Sequence, residues 1–168
     1  MTDICVRHAA TEDAERLVWL HYDAVHAMAR EDYPQGILDS WSPRPDERRY
    51  AWMRTQIESD NSQILVAESV DGATGGFCMF SPSEGFVHAI YVAPGLARKG
   101  IGRELLSRAE SVIAENGVAQ AKLNASKNAL PFYESEGYEV IERSTQGLAD
   151  GSEMECFKMH KVLSTLRS

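Results

Sequence analysis

Apolar positions along this chain follow two different periods, which alternate from segment to segment. A spacing of three and four residues predicts helices, and the clearest example begins near Gly102. The apolar face of this helix comprises Leu105, Leu106, Ala109, Val112 and Ile113. Asn116 and Gly117 tolerate the left-handed conformation that ends a helix. The pattern therefore predicts a long amphipathic helix over the middle of the chain.

Three further helices are predicted before it. The first follows Thr11, a residue type suited to capping a helix N-terminus. Its apolar face would comprise Ala14, Leu17, Val18, His21, Val25 and Met28. Pro34 and Pro43 bound a second, short helix, and residues 46–59 form a third.

Short apolar runs between turn residues predict seven strands. They cover residues 4–7, 64–70, 75–80, 87–92, 121–125, 139–143 and 153–161. Asp71-Gly72 is a hairpin signal between the second and third. The strand at 87–92 leads directly to the long helix, so the chain is organised around this pair.

A glycine-rich loop at residues 97–103 joins the central strand to the long helix. Gly100 and Gly102 lack side chains, so backbone N–H groups can close on a ligand, and a helix N-terminus favours phosphate oxygens. Arg98, Lys99 and Arg103 add positive charge here. The alternative is an ordinary tight turn. Neither a Walker loop nor a dinucleotide fingerprint fits the positions of the glycines.

Bulk composition narrows the class of protein. With 168 residues and 43% apolar content, the chain is expected to form one domain, residues 1–168. A net charge of −8 argues against nucleic acid as a partner and is compatible with a cationic amine. No apolar run is long enough for a bilayer, and no leader is visible.

Cysteine usage indicates the compartment. Cys5, Cys78 and Cys156 are scattered and lack metal-ligand spacing. We therefore expect a cytoplasmic protein without disulfides and without a metal site.

Two segments resemble the GNAT superfamily of acyl-CoA-dependent N-acetyltransferases. Residues 90–106, IYVAPGLARKGIGRELL, are similar to its acetyl-CoA loop, with Ala97 where the family has Gln or Arg. Residues 126–138 are similar to its second diagnostic segment, with Tyr138 in place of Phe. The resemblance implies an α/β (α+β) fold, with a central mixed, mostly antiparallel sheet of about six or seven strands flanked by four or five helices.

The resemblance also implies acetyl-CoA as cosubstrate and a set of residues that bind it. These are Ile90, Tyr91 and Val92 for the pantetheine, Arg98, Lys99, Gly100, Ile101, Gly102 and Arg103 for the pyrophosphate, and Asn124, Asn128 and Tyr133. Asn128 has a second interpretation as a helix cap.

By the same resemblance, Tyr133 is the general acid that protonates the leaving thiolate. The sequence leaves more than one candidate for the general base. Alternation places Phe86, His88 and Ile90 on one strand face, and an imidazole suits proton acceptance near neutral pH. His88 is favoured over Glu84, and Glu68 is a more remote candidate.

The acceptor is expected to be a small-molecule primary amine, bound near Tyr33, Trp41 and His21. The alternative for these aromatic residues is a role in the core. Two other functions stay open, namely a catalytically silent acyl-CoA-binding module and an acetyltransferase of protein lysines or N-termini. A homodimer is possible.

Overall fold

The computed structural model describes residues 4–163, and its centre is one seven-stranded sheet. The strands are β1 Ile4–His8, β2 Gln63–Ser69, β3 Thr74–Ser81, β4 Phe86–Val92, β5 Gln120–Ser126, β6 Glu139–Gly147 and β7 Glu153–Val162. Their order across the sheet is β1-β2-β3-β4-β5-β7-β6. All neighbours pair antiparallel except β4 and β5, which are parallel.

Five helices flank this sheet. They are α1 Ala14–Met28, α2 Gln35–Trp41, α3 Glu47–Glu58, α4 Ile101–Glu115 and α5 Leu130–Ser135. The expected mixed, mostly antiparallel sheet with flanking helices is thereby confirmed. Among the helices of residues 4–163, none combines the length and apolar character needed to cross a bilayer.

Strict alternation on β3 divides the core between the two faces of the sheet. Cys78 and Phe80 pack with α4 and α5, whereas Phe77 and Met79 pack with α1 and α3. A third cluster joins α1, α2 and β7 around Tyr33 and Met154. Burial of both sheet faces explains why β3 is apolar almost throughout.

The first helix begins differently from its prediction. Thr11 does not cap it, because residues 11–13 form a 3₁₀ turn and α1 starts at Ala14. The carboxylate of Asp13 instead accepts a hydrogen bond from the backbone N–H of Ala10 at 2.7 Å. Met28, predicted to face the core, is 45% exposed at the end of α1.

The central strand contains a β-bulge that its sequence pattern does not reveal. Met79 of β3 lies opposite Ala89, but the next residue, Phe80, lies opposite Val87, which leaves His88 as the extra residue of β4. Val87 and Ile90 consequently share the α4 face. The expectation of unbroken alternation from Phe86 to Ile90 is wrong, because a bulge shifts the parity of every later residue.

Candidate active site

The sheet opens where its two parallel strands meet. β4 pairs with β5 only through Phe86–Lys122 and Val87–Leu123, among residues 4–163. Beyond these pairs the strands diverge, so the edge of β4 over residues 88–92 has no strand partner on that side. Backbone N–H and C=O groups need a partner, and this edge is consequently available to an extended ligand.

The loop before α4 presents a second set of unpaired backbone groups. Within residues 4–163, the N–H groups of residues 98–103 donate to no protein acceptor. Arg98 has φ 64° and Gly100 has φ 88°, and left-handed residues of this kind turn successive N–H groups towards one point. The first turn of a fifteen-residue helix adds its dipole. The loop has the geometry of an anion-binding concavity.

Both features border one cleft of about 580 Å³. Its walls include most of the residues predicted to bind the cofactor. They are Ile90, Tyr91, Val92, Arg98, Gly100, Ile101, Gly102, Arg103, Asn124, Asn128 and Tyr133. Lys99 lies on the exposed outer side of the loop and does not line the cleft.

Tyr133 stands in the floor of this cleft. Its ring is 6% exposed and packs edge-on against Phe132 and Tyr138, at centroid distances of 5.1 and 5.8 Å. Burial raises the pKa of the Tyr133 hydroxyl, with smaller contributions from Cys78 and Tyr91. The phenol therefore keeps its proton at neutral pH.

His88 borders the same cleft at the bulge. Its Nε2 lies 2.7 Å from the hydroxyl of Ser81, a buried residue at the end of β3. Desolvation lowers the pKa of His88, and the negative charge of Glu84 opposes that shift. Glu84 itself is exposed and does not line the cleft. Glu68 is likewise remote, since it accepts a hydrogen bond from Arg7.

The end of the cleft away from the loop has walls that sequence analysis identified only in part. Trp41 lies there as predicted, but Met28, Gln146, Met154 and Cys156 were missed as cleft residues. Alternation of Met154 and Cys156 with glutamates marks one apolar face of β7. That signal predicts burial without telling which neighbour covers the strand.

Tyr33 supports the cleft instead of lining it. Its hydroxyl donates to the carbonyl of Glu155 at 2.5 Å and accepts from the N–H of Lys127 at 2.9 Å. Its ring packs on Trp41 at 5.9 Å. The linker after α1 is thereby tied to β7 and to the loop after β5.

His21 also lies behind the cleft wall. Its Nδ1 accepts from the hydroxyl of Ser42 at 2.8 Å and from the guanidinium of Arg49 at 3.2 Å. Its ring contacts that of Tyr91 at a centroid distance of 4.3 Å. Burial, with the charges of Arg49 and His26, lowers the pKa of His21 to about 3.

Asn128 has no role as a helix cap. The N-cap of α5 is Ala129, and the side-chain oxygen of Asn128 accepts from the hydroxyl of Ser126 at 2.8 Å. Asn128 also lines the cleft.

Known proteins share this architecture. A GCN5-related N-acetyltransferase from Rhodopseudomonas palustris superposes with a TM-score of 0.87 at 22% identity, over 97% of this chain and 98% of its own. The PaiA N-acetyltransferase from Thermoplasma acidophilum, in complex with coenzyme A, gives 0.72 at 20% identity, over 95% and 99%. These similarities concern the fold.

Comparisons of sequence match a shorter part of this chain and identify its family. The uncharacterized N-acetyltransferase YuaI of Bacillus subtilis (strain 168) is 26% identical over 121 residues, which are 68% of this chain and 66% of that relative's length. The family model for the acetyltransferase (GNAT) domain matches residues 34–162. That match includes the glycine-rich loop, the splayed strands and Tyr133, and with it the chain belongs to the GNAT acetyltransferase family.

Proposed function

We propose that this chain transfers the acetyl group of acetyl-CoA to the nitrogen of a small primary amine by direct attack. The observation that supports this proposal most strongly is the run of unpaired N–H groups at residues 98–103, which border the same cleft as Tyr133. A loop of this kind suits a pyrophosphate, and the PaiA relative is a complex with coenzyme A. Arg98 and Arg103, both at the cleft, add attraction for the phosphates.

The free edge of β4 suits the rest of the cofactor. Pantetheine carries amide groups, which can extend the sheet by pairing with the backbone of residues 90–92. A backbone N–H on this edge is also a donor for the thioester oxygen as charge develops on it. Asn124 and Asn128 supply side-chain polar groups on the opposite wall.

The chemical step then needs two proton transfers. The amine nitrogen attacks the thioester carbon, a C–N bond forms and the C–S bond breaks. His88 takes the proton from nitrogen, directly or through water, while Ser81 orients the imidazole. Tyr133 gives its proton to the departing thiolate, and solvent restores both groups.

Calorimetry with acetyl-CoA and a thiol-release assay with a broad panel of primary amines test this proposal. We expect binding of acetyl-CoA and release of CoA thiol that depends on the amine. Binding without release on any small amine or amine-bearing peptide would favour the silent module. Release with peptides alone would favour a protein acetyltransferase.

A further inference from the structure

One end of the cleft is apolar. This end lies away from the phosphate-binding loop, and α1, α2, β4 and β7 contribute its walls. They comprise Ala24, Val25, Met28, Trp41, Tyr91 and Met154. Aromatic rings and thioethers bind apolar groups well and offer few hydrogen bonds to charged ones.

Charged groups are distributed unevenly along the cleft. In the described residues 4–163, no Asp or Glu lines it, and its arginines, Arg98 and Arg103, belong to the loop at the other end. Three basic side chains lie on β6, β7 or the loop after β5 near the apolar end, and none of them lines the cleft. The guanidinium of Arg143 lies over the ring of Phe157, at 5.8 Å from its centroid. Lys127 lies 3.4 Å from a carboxylate oxygen of Glu155, and Lys158 lies 3.4 Å from one of Glu142. A carboxylate on the acceptor that contacts the apolar walls would therefore have no cationic partner among the side chains that line this end.

The amine itself needs no carboxylate partner here. The attacking species is the neutral amine, and a pocket without acidic side chains does not stabilise the ammonium form. Ser126 and Gln146 also line the cleft and can hydrogen-bond a neutral polar group. The walls thus suit an uncharged body that carries one amino group.

We infer that the acceptor is a primary amine with an apolar, uncharged body of arylalkylamine type, because the acceptor end is lined by apolar side chains and lacks a group to pair with an acceptor carboxylate. This inference deepens the proposed function and rests on it. It excludes free amino acids as good acceptors, since an isolated charge in an apolar site is strongly disfavoured.

Three acceptors with one skeleton test the inference by thiol release with the full chain. They are 2-phenylethylamine, L-phenylalanine and L-phenylalaninamide. We expect kcat/KM for phenylalanine to be lower than for phenylethylamine by about 100-fold or more, as for an unpaired buried charge. The amide should recover most of the loss, because it has the size of the acid without its charge.

A substitution at an exposed wall position supplies the complementary test. Met28→Arg places a cation at the apolar end, and Met28→Leu is the matched apolar control. We expect Met28→Arg to narrow the preference for phenylethylamine over phenylalanine by about tenfold or more, and Met28→Leu to keep it. Acetyl-CoA affinity, measured by calorimetry, reports folding of both variants.

The outcomes distinguish the inferred class of acceptor from the proposed acetyl transfer itself. Equal or better turnover of phenylalanine would overturn the inference and leave acetyl transfer intact. An unchanged preference in folded Met28→Arg would overturn the assignment of this end to the acceptor. Turnover of phenylalanine-headed peptides alone would overturn a small acceptor, and no turnover of any amine would overturn the proposed function itself.

Discussion

The two residues that we propose as acid and base, Tyr133 and His88, have different surroundings in the cleft. Tyr133 is enclosed by Phe132 and Tyr138, and burial keeps its phenol protonated. His88 lies at a bulge, beside a buried hydroxyl, and desolvation favours its neutral form. The two environments shift the two pKa values in opposite senses, so at neutral pH the phenol is protonated and the imidazole is neutral.

Removing the hydroxyl of Tyr133 tests its proposed role as the general acid. Tyr133→Phe should lower kcat by about 100-fold or more, the usual contribution of a general acid, and change acetyl-CoA affinity little. Tyr138→Phe is the matched control, because this buried tyrosine donates to Glu110 instead of facing the cleft. Steady-state kinetics and calorimetry separate the two effects. Full turnover by Tyr133→Phe would exclude Tyr133 as the acid.

The dependence of activity on pH tests His88 as the general base. As the proposed base, His88 acts in its neutral form, so activity should fall as pH drops through its pKa, which partial desolvation lowers from the ordinary value near 6.5. His88→Gln should remove this acidic limb and lower kcat by about 100-fold. A weakly basic amine is the right acceptor for this measurement, because its own protonation then does not dominate the profile.

Glu84 provides the discriminating variant for the same profile. Its charge raises the pKa of His88, so Glu84→Gln should move the acidic limb to lower pH with activity retained. Loss of activity in Glu84→Gln, together with an unchanged profile in His88→Gln, would assign the base to Glu84.

At the scale of elements, the loop before α4 combines left-handed backbone conformations with unpaired N–H groups. Gly100 adopts a left-handed conformation, and nothing lies within 4 Å of the position of an added Cβ. A side chain there is therefore disfavoured by backbone conformation and would project from the amides that face a phosphate. Gly117, beyond the other end of α4, has the same left-handed conformation but no predicted role in binding.

Gly100→Val should consequently weaken acetyl-CoA binding by about 10-fold to 100-fold, as for the loss of one or two charge-assisted hydrogen bonds. Gly117→Val is the matched control, since it imposes similar backbone strain at a distance from the cleft. Calorimetry checks affinity, and thermal unfolding checks that both variants lose similar stability. Undiminished affinity in Gly100→Val would contradict a pyrophosphate at this loop.

Local patterns predicted these elements well and their junctions poorly. The face of α4 followed from its spacing, and Leu105, Leu106, Ala109 and Ile113 are buried as expected. The bulge at His88 depends on the pairing of β4 with β3, and the divergence of β4 from β5 depends on a strand that follows α4. The period within β4 itself therefore records neither of them. For the same reason the cleft residues of β6 and β7 were not found.

At the scale of the molecule, His21 and Ser42 connect α1, the end of α2 and α3. Ser42 is fully buried, its hydroxyl contacts His21, and Arg49 of α3 donates to the same imidazole nitrogen. A protonated Nδ1 would lose both acceptor interactions. This junction supports the wall of the cleft through the contact of His21 with Tyr91.

Because the imidazole of His21 is neutral in this junction, the free energy of unfolding should depend on pH. In the folded state His21 stays neutral down to a pKa of about 3, whereas in the unfolded chain it takes up a proton below about 6.5. The unfolded state then binds more protons, so the free energy of unfolding falls with falling pH, by up to about 1.4 kcal/mol per pH unit from this group. Urea unfolding between pH 7 and 4.5 measures the slope.

His21→Gln should flatten that slope, and His8→Gln, at an exposed position of β1, is the matched control. Equal slopes in the wild type and in His21→Gln would show that the imidazole is not the group responsible.

The extra residue of β4 has a consequence for how the gene can change. Replacing His88 alters one side chain, whereas deleting its codon would remove the unpaired residue and make Val87 and Ala89 neighbours. Val87, Ala89 and Ile90 would keep their partners on β3, and paired residues share a face of the sheet, so no side chain would change environment. We therefore expect an in-frame deletion at this codon to leave a protein that folds, with yield of folded protein as the measurement.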